Sequence, residues 1–416
     1  MKKVAGIVCG FAIIALGVFA FSRANSKKDI TEKVFEVAEK QYGELLAHST
    51  NLSRYPRTID GSGKTSYVDI GDWTGGFWPG DLWYVYEYTG EDKWKQAAIK
   101  WTESLEQNQY NTAHHDLGFM MYCSYGNAYR LTKNEHYKAV LIQSAKSLIS
   151  RYNERVGCIK SWNSKMSWDG KTLWSFPVII DNMMNLELLF FASKVTGDPV
   201  YKNIAVKHAE TTMKNHIRAD YSSYHVVNYD TITGKVLNQQ TCQGYADNST
   251  WARGQAWGIY GFTMVYRETG DVRFLQTAKK MADFYMHQAT LPADKVPYWD
   301  FNVNQAGYTP QWNNKQSPLN YIPRDASAAA IVSSALLELS NDLGTEGKSY
   351  ADFAEQTIKS LSSPEYLAKP GDNGYFLLKH SVGSIPHGVE IDVPLVYADY
   401  YYLEALLRYH TKKKSL

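Results

Sequence analysis

Two kinds of helical segment alternate along the chain. Segments such as 185–192 and 328–339 are apolar almost all the way round, whereas 201–213 and 274–287 carry apolar residues on one face only. A helix that is apolar all round is buried, and an amphipathic helix covers it. The pattern therefore predicts helical hairpins, each with one inner and one outer helix.

A recurring turn phrase separates the two helices of each hairpin. In the clear copies an aromatic residue follows the Gly or Lys of the turn by four positions; they cover 88–94, 130–137, 195–201 and 268–274, with a looser copy at 343–350. A helix end followed by a tight turn and a docked aromatic residue is typical of two antiparallel helices. The phrase therefore favours αα-hairpins.

The inner helices can be counted from their predicted starts, near Trp78, Asp116, Asp181, Ala252, Asp325 and Pro394. The last one, ending near Tyr409, lacks an outer partner, and the amphipathic segment 30–48 lacks an inner one. Pairing these two segments closes a ring of hairpins. We predict an all-α fold, an (α/α)6 toroid or barrel of six αα-hairpins, in a single domain over residues 25–416. Strand-like stretches such as 223–229 are expected in connecting loops.

All inner helices of such a ring run in the same direction, so their N-termini gather at one end. The long loops that lead into them gather there too, at residues 150–180, 215–250, 288–324 and 362–393. Loops of this length in a compact domain are usually functional. The rim formed by the N-termini of the inner helices is therefore the predicted site.

Two aspartates open neighbouring inner helices on this rim. Asp116 follows His114 and His115, and Asp181 follows the apolar run 178–180. Each could simply cap its helix, because Asp is a favoured N-cap residue. As a pair they predict two carboxyls with different pKa values, because apolar surroundings and an ionised neighbour both raise the pKa of a carboxyl. An asymmetric pair of this kind suits acid-catalysed glycoside chemistry.

The segment 241–257 carries groups that suit an acidic sugar. Arg253 stands at a predicted helix start, where its charge opposes the helix macrodipole, and a carboxylate ligand would explain it. The alternative is an internal ion pair with Asp247. The other candidates of this segment are Gln243, Trp251 and Trp257.

The composition excludes some classes of protein and favours others. Lys and Arg number 44 against 42 Asp and Glu, which argues against an electrostatically driven nucleic-acid binder. Aromatic residues make up 14% of the chain, and Tyr and Trp suit sugar rings. Trp73 and Trp78, before the first inner helix, either stack on a sugar or pack in the core.

The N-terminus resembles a targeting segment. Lys2 and Lys3 precede an uncharged apolar run over 4–21, and residues 22–24 offer a small-x-small cleavage site. We predict a signal peptide over residues 1–24, export to a bacterial periplasm, and no stable membrane association after cleavage. An uncleaved N-terminal membrane anchor is the alternative.

No cofactor or metal is predicted. Cys123, Cys158 and Cys242 show no CxxC spacing, so they define neither a zinc site nor a disulfide scaffold. The run 114–116 lacks a further ligand cluster, and neither a GxGxxG loop after a strand nor a serine nucleophile elbow is present. The sequence gives no prediction of the oligomeric state.

Four motifs together carry a family resemblance; they stand at residues 115–119, 180–182, 247–257 and 323–328. From about Trp73 to Tyr401 the chain resembles the unsaturated glucuronyl hydrolases, glycoside hydrolase family 88. The resemblance implies an (α/α)6 barrel and two functional aspartates, Asp116 and Asp181. It implies substrate-binding side chains at His225, Gln243, Arg253 and Trp257, with a stacking Trp73 or Trp78. We count His115, beside Asp116, among the binding candidates.

The resemblance also implies the chemistry. The substrate is an oligosaccharide, expected from glycosaminoglycans, whose non-reducing end is a 4,5-unsaturated uronic acid left by a lyase. An acid protonates C4, water adds at C5, and the hemiketal opens so that the glycosidic bond breaks. Asp181 fits the acid and then the base, and Asp116 fits an ionised neighbour. The alternatives are an unsaturated rhamnogalacturonyl hydrolase and, in another class, a polysaccharide lyase or a non-catalytic glycan-binding toroid.

The loop 379–388 leads into the last inner helix and is expected to overhang the rim. Lys379, Ser381 and Ser384 are short donors or cations. The resemblance to glycosaminoglycan-directed relatives implies that they contact the second sugar and its sulfate or acetamido groups, through charge-assisted hydrogen bonds. A solvated loop without a binding role is the alternative.

Overall fold

The computed structural model describes residues 29–312 and 320–414. Helices dominate these residues, and two classes of helix alternate along the chain. In chain order they are α1 (Ile30–His48), α2 (Phe77–Thr89), α3 (Asp92–Glu103), α4 (Leu117–Met121), α5 (Asn127–Thr132), α6 (Glu135–Ile149), α7 (Leu186–Thr196), α8 (Pro199–Asn215), α9 (Ala252–Thr269), α10 (Val272–Met286), α11 (Ala326–Asp342), α12 (Lys348–Leu361) and α13 (Val396–Lys414).

The two classes differ in burial as the hydrophobic pattern predicts. The inner helices α9 and α11 are buried round their whole circumference over most of their length, whereas the outer helix α10 buries one face. The outer helices are α1, α3, α6, α8, α10 and α12. The last inner helix, α13, packs against both α11 and α2, and α1 packs against α2. The first and last helices therefore close the ring, and the predicted (α/α)6 barrel is confirmed.

The turns between paired helices explain the recurring phrase. Gly90, Gly197 and Gly270 end their inner helices with φ of 71°, 74° and 71°, a left-handed conformation that suits glycine. The side chains of Asp198 and Asp271 then cap the outer helices that follow. The prediction that the phrase marks hairpin turns is therefore confirmed.

Two inner helices depart from regular α-helical geometry over part of their length. The second one consists of α4, a π-helical turn at Tyr122–Gly126 and α5. The third begins with a 3-10 turn at Ile180–Asn185 before α7. Such departures from α-helical geometry are frequent at functional sites. Asp181 lies within the 3-10 turn, whereas Asp116 directly precedes α4 and stands before the π-helical turn.

Short strands occupy the loops between the helices. They are β1 (Tyr55–Ile59), β2 (Thr65–Val68), β3 (Tyr152–Asn153), β4 (Cys158–Ile159), β5 (Lys165–Met166), β6 (Leu173–Trp174), β7 (Pro177–Ile179), β8 (Val226–Tyr229), β9 (Val236–Gln240), β10 (Ser381–Ser384) and β11 (Val389–Val393). Strands β7, β8 and β9 form an antiparallel sheet in which Ile179 faces Val226. This pairing brings His225 beside the residues that follow Ile179. The expected strand-like stretch is thus a strand within a loop.

Within the two described ranges, no helix is both long enough and apolar enough to cross a membrane. The signal peptide predicted for residues 1–24 lies outside the described residues.

Candidate active site

Asp116 and Asp181 lie at the rim ends of neighbouring inner helices. Asp116 directly precedes α4, and Asp181 lies in the 3-10 turn before α7. Among the described residues, neither carboxylate accepts a capping hydrogen bond from the following turn. Asp325, by contrast, caps α11 through a 3.1 Å bond from Ser327 N. The alternative that Asp116 and Asp181 serve as helix caps is therefore wrong.

The Asp181 carboxyl lies in a closed and largely apolar environment. It follows the buried strand β7, and its side chain is only 12% exposed. Within the described residues its Oδ2 has no hydrogen-bond partner, and His225 Nε2 lies 3.9 Å away. Burial raises the pKa of Asp181 to about 7; the charge of Arg253 opposes this rise and the charge of Asp116 adds to it. Asp181 can therefore hold a proton near neutral pH.

The His225 ring is held in one tautomer beside Asp181. Its Nδ1 accepts hydrogen bonds from the backbone N–H groups of Cys242 (3.0 Å) and Gln243 (3.1 Å). The neutral ring must then carry its proton on Nε2, the atom nearest Asp181. Burial, with the nearby charge of Arg253, holds the pKa of His225 well below its ordinary value. The ring therefore stays neutral and offers an N–H donor.

Two histidines surround the Asp116 carboxylate. Its Oδ1 lies 3.2 Å from His115 Nε2, and its Oδ2 lies 3.3 Å from His114 Nδ1. Burial alone would raise the pKa of Asp116, but His115 and His114 hold it below its ordinary value. Asp116 is therefore ionised. His115 is fully buried, so the structure places it against Asp116 and not on an open surface.

Asn185 joins the two segments that carry the aspartates. Its Oδ1 accepts a 2.8 Å hydrogen bond from Phe119 N at the start of α4. The backbones also approach closely, because a Cβ placed on Gly118 would lie 2.4 Å from Asn185 Cα. Only glycine allows this approach. The spacing of Asp116 and Asp181 is therefore fixed by direct contact between their own segments.

Arg253 is buried at the start of α9 and is partly engaged by protein. Its Nη1 donates to Asp325 Oδ2 at 3.1 Å and to the carbonyl of Val382, and its Nη2 donates to Gly383 O at 2.7 Å. The proposed alternative pair with Asp247 is wrong, and Asp325 is the acidic partner. Two N–H groups, on Nε and Nη2, have no hydrogen-bond partner within the described ranges. This edge can still bind a carboxylate.

Aromatic rings form the floor and wall of the site. The half-buried Trp73 lies 4.9 Å from Tyr397 and 5.7 Å from Phe119, measured between ring centroids. Trp257 packs beneath Phe119 at 5.1 Å and has no exposed surface. Trp251 lies between the His225 ring and the Arg253 guanidinium, 4.6 and 4.5 Å from them. Of the tryptophans predicted to bind substrate, Trp73 therefore keeps a face available to a sugar, whereas Trp251 and Trp257 are buried and support the site from behind.

Several buried polar atoms meet around this space. Besides Asp181 Oδ2, the atoms His225 Nε2 and Tyr397 Oη have no hydrogen-bond partner in the described part of the chain. Buried polar groups are almost always paired, so a cluster of unpaired ones needs a partner from outside the protein. Gln243, only partly buried, adds an amide that lies 3.4 Å from Gly383 O.

Two of the predicted binding residues, Trp78 and Lys379, need correction. Trp78 is fully buried against Tyr42 and Trp101 of the outer helices, so it belongs to the core and does not stack on substrate. The Lys379 ammonium donates to Pro364 O at 2.8 Å, and no described contact connects it to either aspartate. Ser381 is fully buried within β10, and its Oγ has no hydrogen-bond partner in the described part of the chain, so its binding role stays a prediction. Ser384 Oγ lies 2.7 Å from His387 Nδ1.

Other residues of the site were not predicted from the sequence. Asn185 stands four positions after Asp181, a spacing that could have drawn attention to it. Trp162 and Lys165 come from a loop with no motif, and only the fold brings them to His225. Across residues 29–312 and 320–414, no cluster of three or more His, Cys, Asp or Glu side chains could hold a metal ion.

Comparison with protein families identifies the family of the chain. Residues 62–413 match the sequence profile of Glycosyl Hydrolase Family 88. The chain belongs to glycosyl hydrolase family 88. It is therefore a glycoside hydrolase. The chain is 45% identical over 413 residues to an unsaturated glucuronyl hydrolase of Formosa agariphila, which covers 98% of both chains.

Solved structures of family 88 share the fold over nearly the whole chain. An unsaturated glucuronyl hydrolase specific for heparin is 48% identical, with a TM-score of 0.85 over 93% of this chain and 98% of its own. A mutant unsaturated glucuronyl hydrolase of Streptococcus agalactiae, complexed with dGlcA-GalNAc6S, is 32% identical, with a TM-score of 0.74 over 91% of each chain.

Proposed function

We propose that this family 88 enzyme is an unsaturated glucuronyl hydrolase, which removes a 4,5-unsaturated uronic acid from the non-reducing end of lyase-generated oligosaccharides. The observation that carries the proposal is the pair of carboxyls at the starts of neighbouring inner helices. Burial raises the pKa of Asp181 to about 7, while His115 and His114 hold the pKa of Asp116 below its ordinary value. The identity with the Formosa agariphila relative over 98% of both chains supports it. Glycosaminoglycan fragments are the proposed source, because the structural relative that is 48% identical is specific for heparin.

In the first chemical step, Asp181 acts as the acid. Its carboxyl donates this proton to C4 of the C4=C5 vinyl ether, and positive charge develops at C5 and the ring oxygen. The ionised Asp116 stabilises this charge electrostatically. Its negative charge also keeps the proton on Asp181 until the substrate accepts it.

The second step uses the carboxylate that remains. Asp181, now ionised, takes a proton from a water molecule as that water adds at C5. The resulting hemiketal opens and releases the next sugar, so the anomeric carbon is never attacked. The neutral His225 Nε2–H and the free edge of Arg253 are proposed to hold the substrate carboxylate, and Gln243 to bind its hydroxyls. The half-buried Trp73 is proposed to stack on the uronate ring.

The test follows the ultraviolet absorbance of the conjugated enoate in a lyase-made unsaturated disaccharide. An unsaturated glucuronyl hydrolase removes this absorbance, a lyase creates it from intact polysaccharide, and a binding protein leaves it unchanged. Adding an unsaturated rhamnogalacturonyl disaccharide as a second substrate separates the nearest alternative. Loss of absorbance from that substrate alone would contradict the proposal.

We also propose that the protein is exported, with residues 1–24 as its signal peptide. The support is the basic start, apolar run and small-residue site of that segment. N-terminal sequencing of the protein recovered from the producing cell tests this. A chain that keeps residues 1–24 and sediments with membranes would favour the N-terminal anchor instead.

A further inference from the structure

A lysine on the β5–β6 hairpin reaches the mouth of the candidate site. Its ammonium, Lys165 Nζ, lies 3.1 Å from His387 Nε2 and 3.4 Å from Cys242 Sγ. The Trp168 ring lies 4.7 Å from the His387 ring and is fixed by a 2.9 Å hydrogen bond from its Nε1 to Cys242 O. We call Lys165, Cys242, Ser384 and His387, with Trp162 and Trp168, the Lys165 cluster.

The positive charge of this cluster rests on the lysine. Burial and the neighbouring ammonium lower the pKa of His387 to about 4, so its ring is neutral. Its Nε2 accepts a hydrogen bond from the Lys165 ammonium, and Nδ1, which then carries the ring proton, donates a hydrogen bond to Ser384 Oγ. Burial raises the pKa of the Cys242 thiol, so this partner is neutral as well. Lys165 therefore has two hydrogen-bond partners, and neither carries negative charge.

The surroundings of the ammonium lack a counter-charge. No ion pair joins Lys165 to a carboxylate within the described residues. The ring centroids of Trp162 and Trp168 lie 5.8 and 5.4 Å from Nζ, which is cation–π range. An ammonium has three N–H donors, and the hydrogen bonds to His387 and Cys242 use two of them. One donor and an uncompensated charge thus remain for a ligand.

The cluster adjoins the proposed uronate site without entering it. Cys242 N donates to His225 Nδ1, and the opposite edge of that ring faces Asp181. The His225 ring and the Cys242 residue therefore separate the ammonium from the reacting carboxyl. When the unsaturated end of an oligosaccharide lies at Asp181, its remaining sugars extend outwards across the rim. Lys165 and His387 are exposed on this rim. The cluster is therefore a candidate contact for the second sugar.

We propose that Lys165 determines substrate specificity by binding a sulfate on the sugar next to the unsaturated uronate. The ammonium supplies the charge, Ser384 supplies a hydroxyl donor, and Trp162 supplies an apolar face for the sugar ring. This inference rests on the proposed function. It places sulfate recognition on the β5–β6 hairpin, where Lys165 faces the site, and away from Lys379, whose ammonium is bound to Pro364 O.

The test compares two unsaturated disaccharides that differ only by a 6-O-sulfate on the second sugar. Lys165→Met removes the charge and keeps the apolar stem, and Lys165→Arg keeps the charge. The matched control is Lys171→Met, because Lys171 is an exposed lysine in the turn of the same hairpin. We expect Lys165→Met to lower kcat/KM for the sulfated substrate about tenfold relative to the unsulfated one, mainly through KM. Lys165→Arg and Lys171→Met should keep the wild-type ratio within about threefold.

Added salt gives a second measurement. Ion pairing near a surface weakens as ionic strength rises. The preference of the wild type for the sulfated substrate should therefore fall with added NaCl, and that of Lys165→Met should not. An unchanged substrate ratio in Lys165→Met, or an equal loss on both substrates, would overturn the inference and leave the proposed function intact. Failure of the wild-type enzyme to consume either chromophore would instead overturn the proposed function.

Discussion

At the residue scale, burial and charge act in opposite directions on two neighbouring carboxyls. Burial raises the pKa of Asp181 to about 7, while His115 and His114 hold the pKa of Asp116 below its ordinary value. A pair that differs in this way can supply an acid and an anion at the same pH. The division of roles therefore follows from what each side chain touches.

Asp181→Asn tests the acid role directly. The amide has nearly the shape of the carboxyl but cannot donate a proton to C4. We expect turnover to fall by several orders of magnitude, while substrate affinity stays within about tenfold. Single-turnover absorbance measurements give the rate, and a binding titration gives the affinity. A folded variant with turnover near that of the wild type would remove Asp181 from the mechanism.

The same variant should gain stability in a pH-dependent way. The folded pKa of Asp181 is about 7, against an ordinary value of 3.8. Between these values the unfolded chain is ionised and the folded carboxyl is not, so the stability of the wild type falls as pH rises and levels off above about 7. Asp181→Asn lacks this loss. Its free energy of unfolding should therefore exceed that of the wild type by more at pH 8 than at pH 5. The increase in this difference between the two pH values should be on the order of a few kcal/mol.

Thermal or denaturant unfolding at those two pH values measures the difference. Equal effects of the substitution at pH 5 and pH 8 would show that the folded pKa of Asp181 is not raised.

Asp116→Asn tests whether the two carboxyls communicate. The negative charge of Asp116 helps to raise the pKa of Asp181. Because the acid must be protonated, the rate should fall as pH rises through the pKa of Asp181. Removing the charge should shift this alkaline limb to lower pH and also reduce the rate. A pH–rate profile of kcat with the limb in its wild-type place would mean that the carboxyls act independently.

At the element scale, the contact between α4 and the 3-10 turn sets the spacing of the two aspartates. A methyl group on Gly118 would lie 2.4 Å from Asn185 Cα, so the two segments would have to separate. We expect Gly118→Ala to destabilise the fold by about 1–3 kcal/mol and to lower kcat. Differential scanning calorimetry and the absorbance assay measure the two effects.

Gly43→Ala is the matched control for that substitution. Gly43 is exposed within α1, its φ is not positive, and no atom lies within 4 Å of the added Cβ. The same chemical change should therefore stabilise the protein by about 0.4–1 kcal/mol and leave turnover unchanged. If Gly118→Ala behaved like Gly43→Ala, the contact with Asn185 would not set the geometry of the site.

The elements themselves could be predicted because their signals are local. Apolar periodicity separates the inner helix α11 from the outer helix α12, and each turn phrase stands within one stretch of chain. The π-helical turn at Tyr122–Gly126 could not be predicted, because it lies in a segment that is helical and apolar by pattern. Its geometry is decided by packing against neighbouring helices.

The site could be predicted only where a motif marks it. Asp116, Asp181 and Arg253 stand at helix starts, which the sequence locates. Trp73 and Trp78 look alike in sequence, and only the packing of Trp78 against Tyr42 and Trp101 separates them. Lys165 meets residues 77 and 222 positions away, a proximity that only the closed ring creates.

At the scale of the whole molecule, the two ends of the barrel differ in how their charges are paired. A cavity of about 1410 Å³ opens at the C-terminal ends of the inner helices, lined in part by Arg267, Glu338 and Arg408. These charges neutralise one another, with Glu338 2.7 Å from Arg267 and 2.8 Å from Arg408. The rim end keeps unpaired groups such as Asp181 Oδ2. Polar groups that need a partner, and not the size of a cavity, therefore locate the site.

Closure of the ring is also connected to the site, through Asp399 on α13. Its Oδ2 accepts hydrogen bonds from Leu377 N at 2.7 Å and Tyr42 Oη at 3.3 Å, and its Oδ1 accepts one from Leu378 N at 2.9 Å. This fully buried carboxyl thus joins the last helix to α1 and to the segment that leads into β10. Two backbone carbonyls of β10 accept hydrogen bonds from Arg253, so β10 connects the closure of the ring to the site.

Asp399→Ala should therefore weaken both closure and catalysis. It leaves three buried donors without an acceptor, at about 1–3 kcal/mol each, so we expect the free energy of unfolding to fall by about 3 kcal/mol or more at pH 5, with a lower kcat. Burial raises the pKa of Asp399 to about 7, so the wild type loses stability as pH rises towards that value and the deficit of the variant should be smaller at pH 8. The control is Asp352→Ala, which removes an exposed carboxylate that pairs with Lys348 and should change stability by less than about 0.5 kcal/mol at either pH. Equal unfolding curves for the two variants would show that Asp399 does not join the ring.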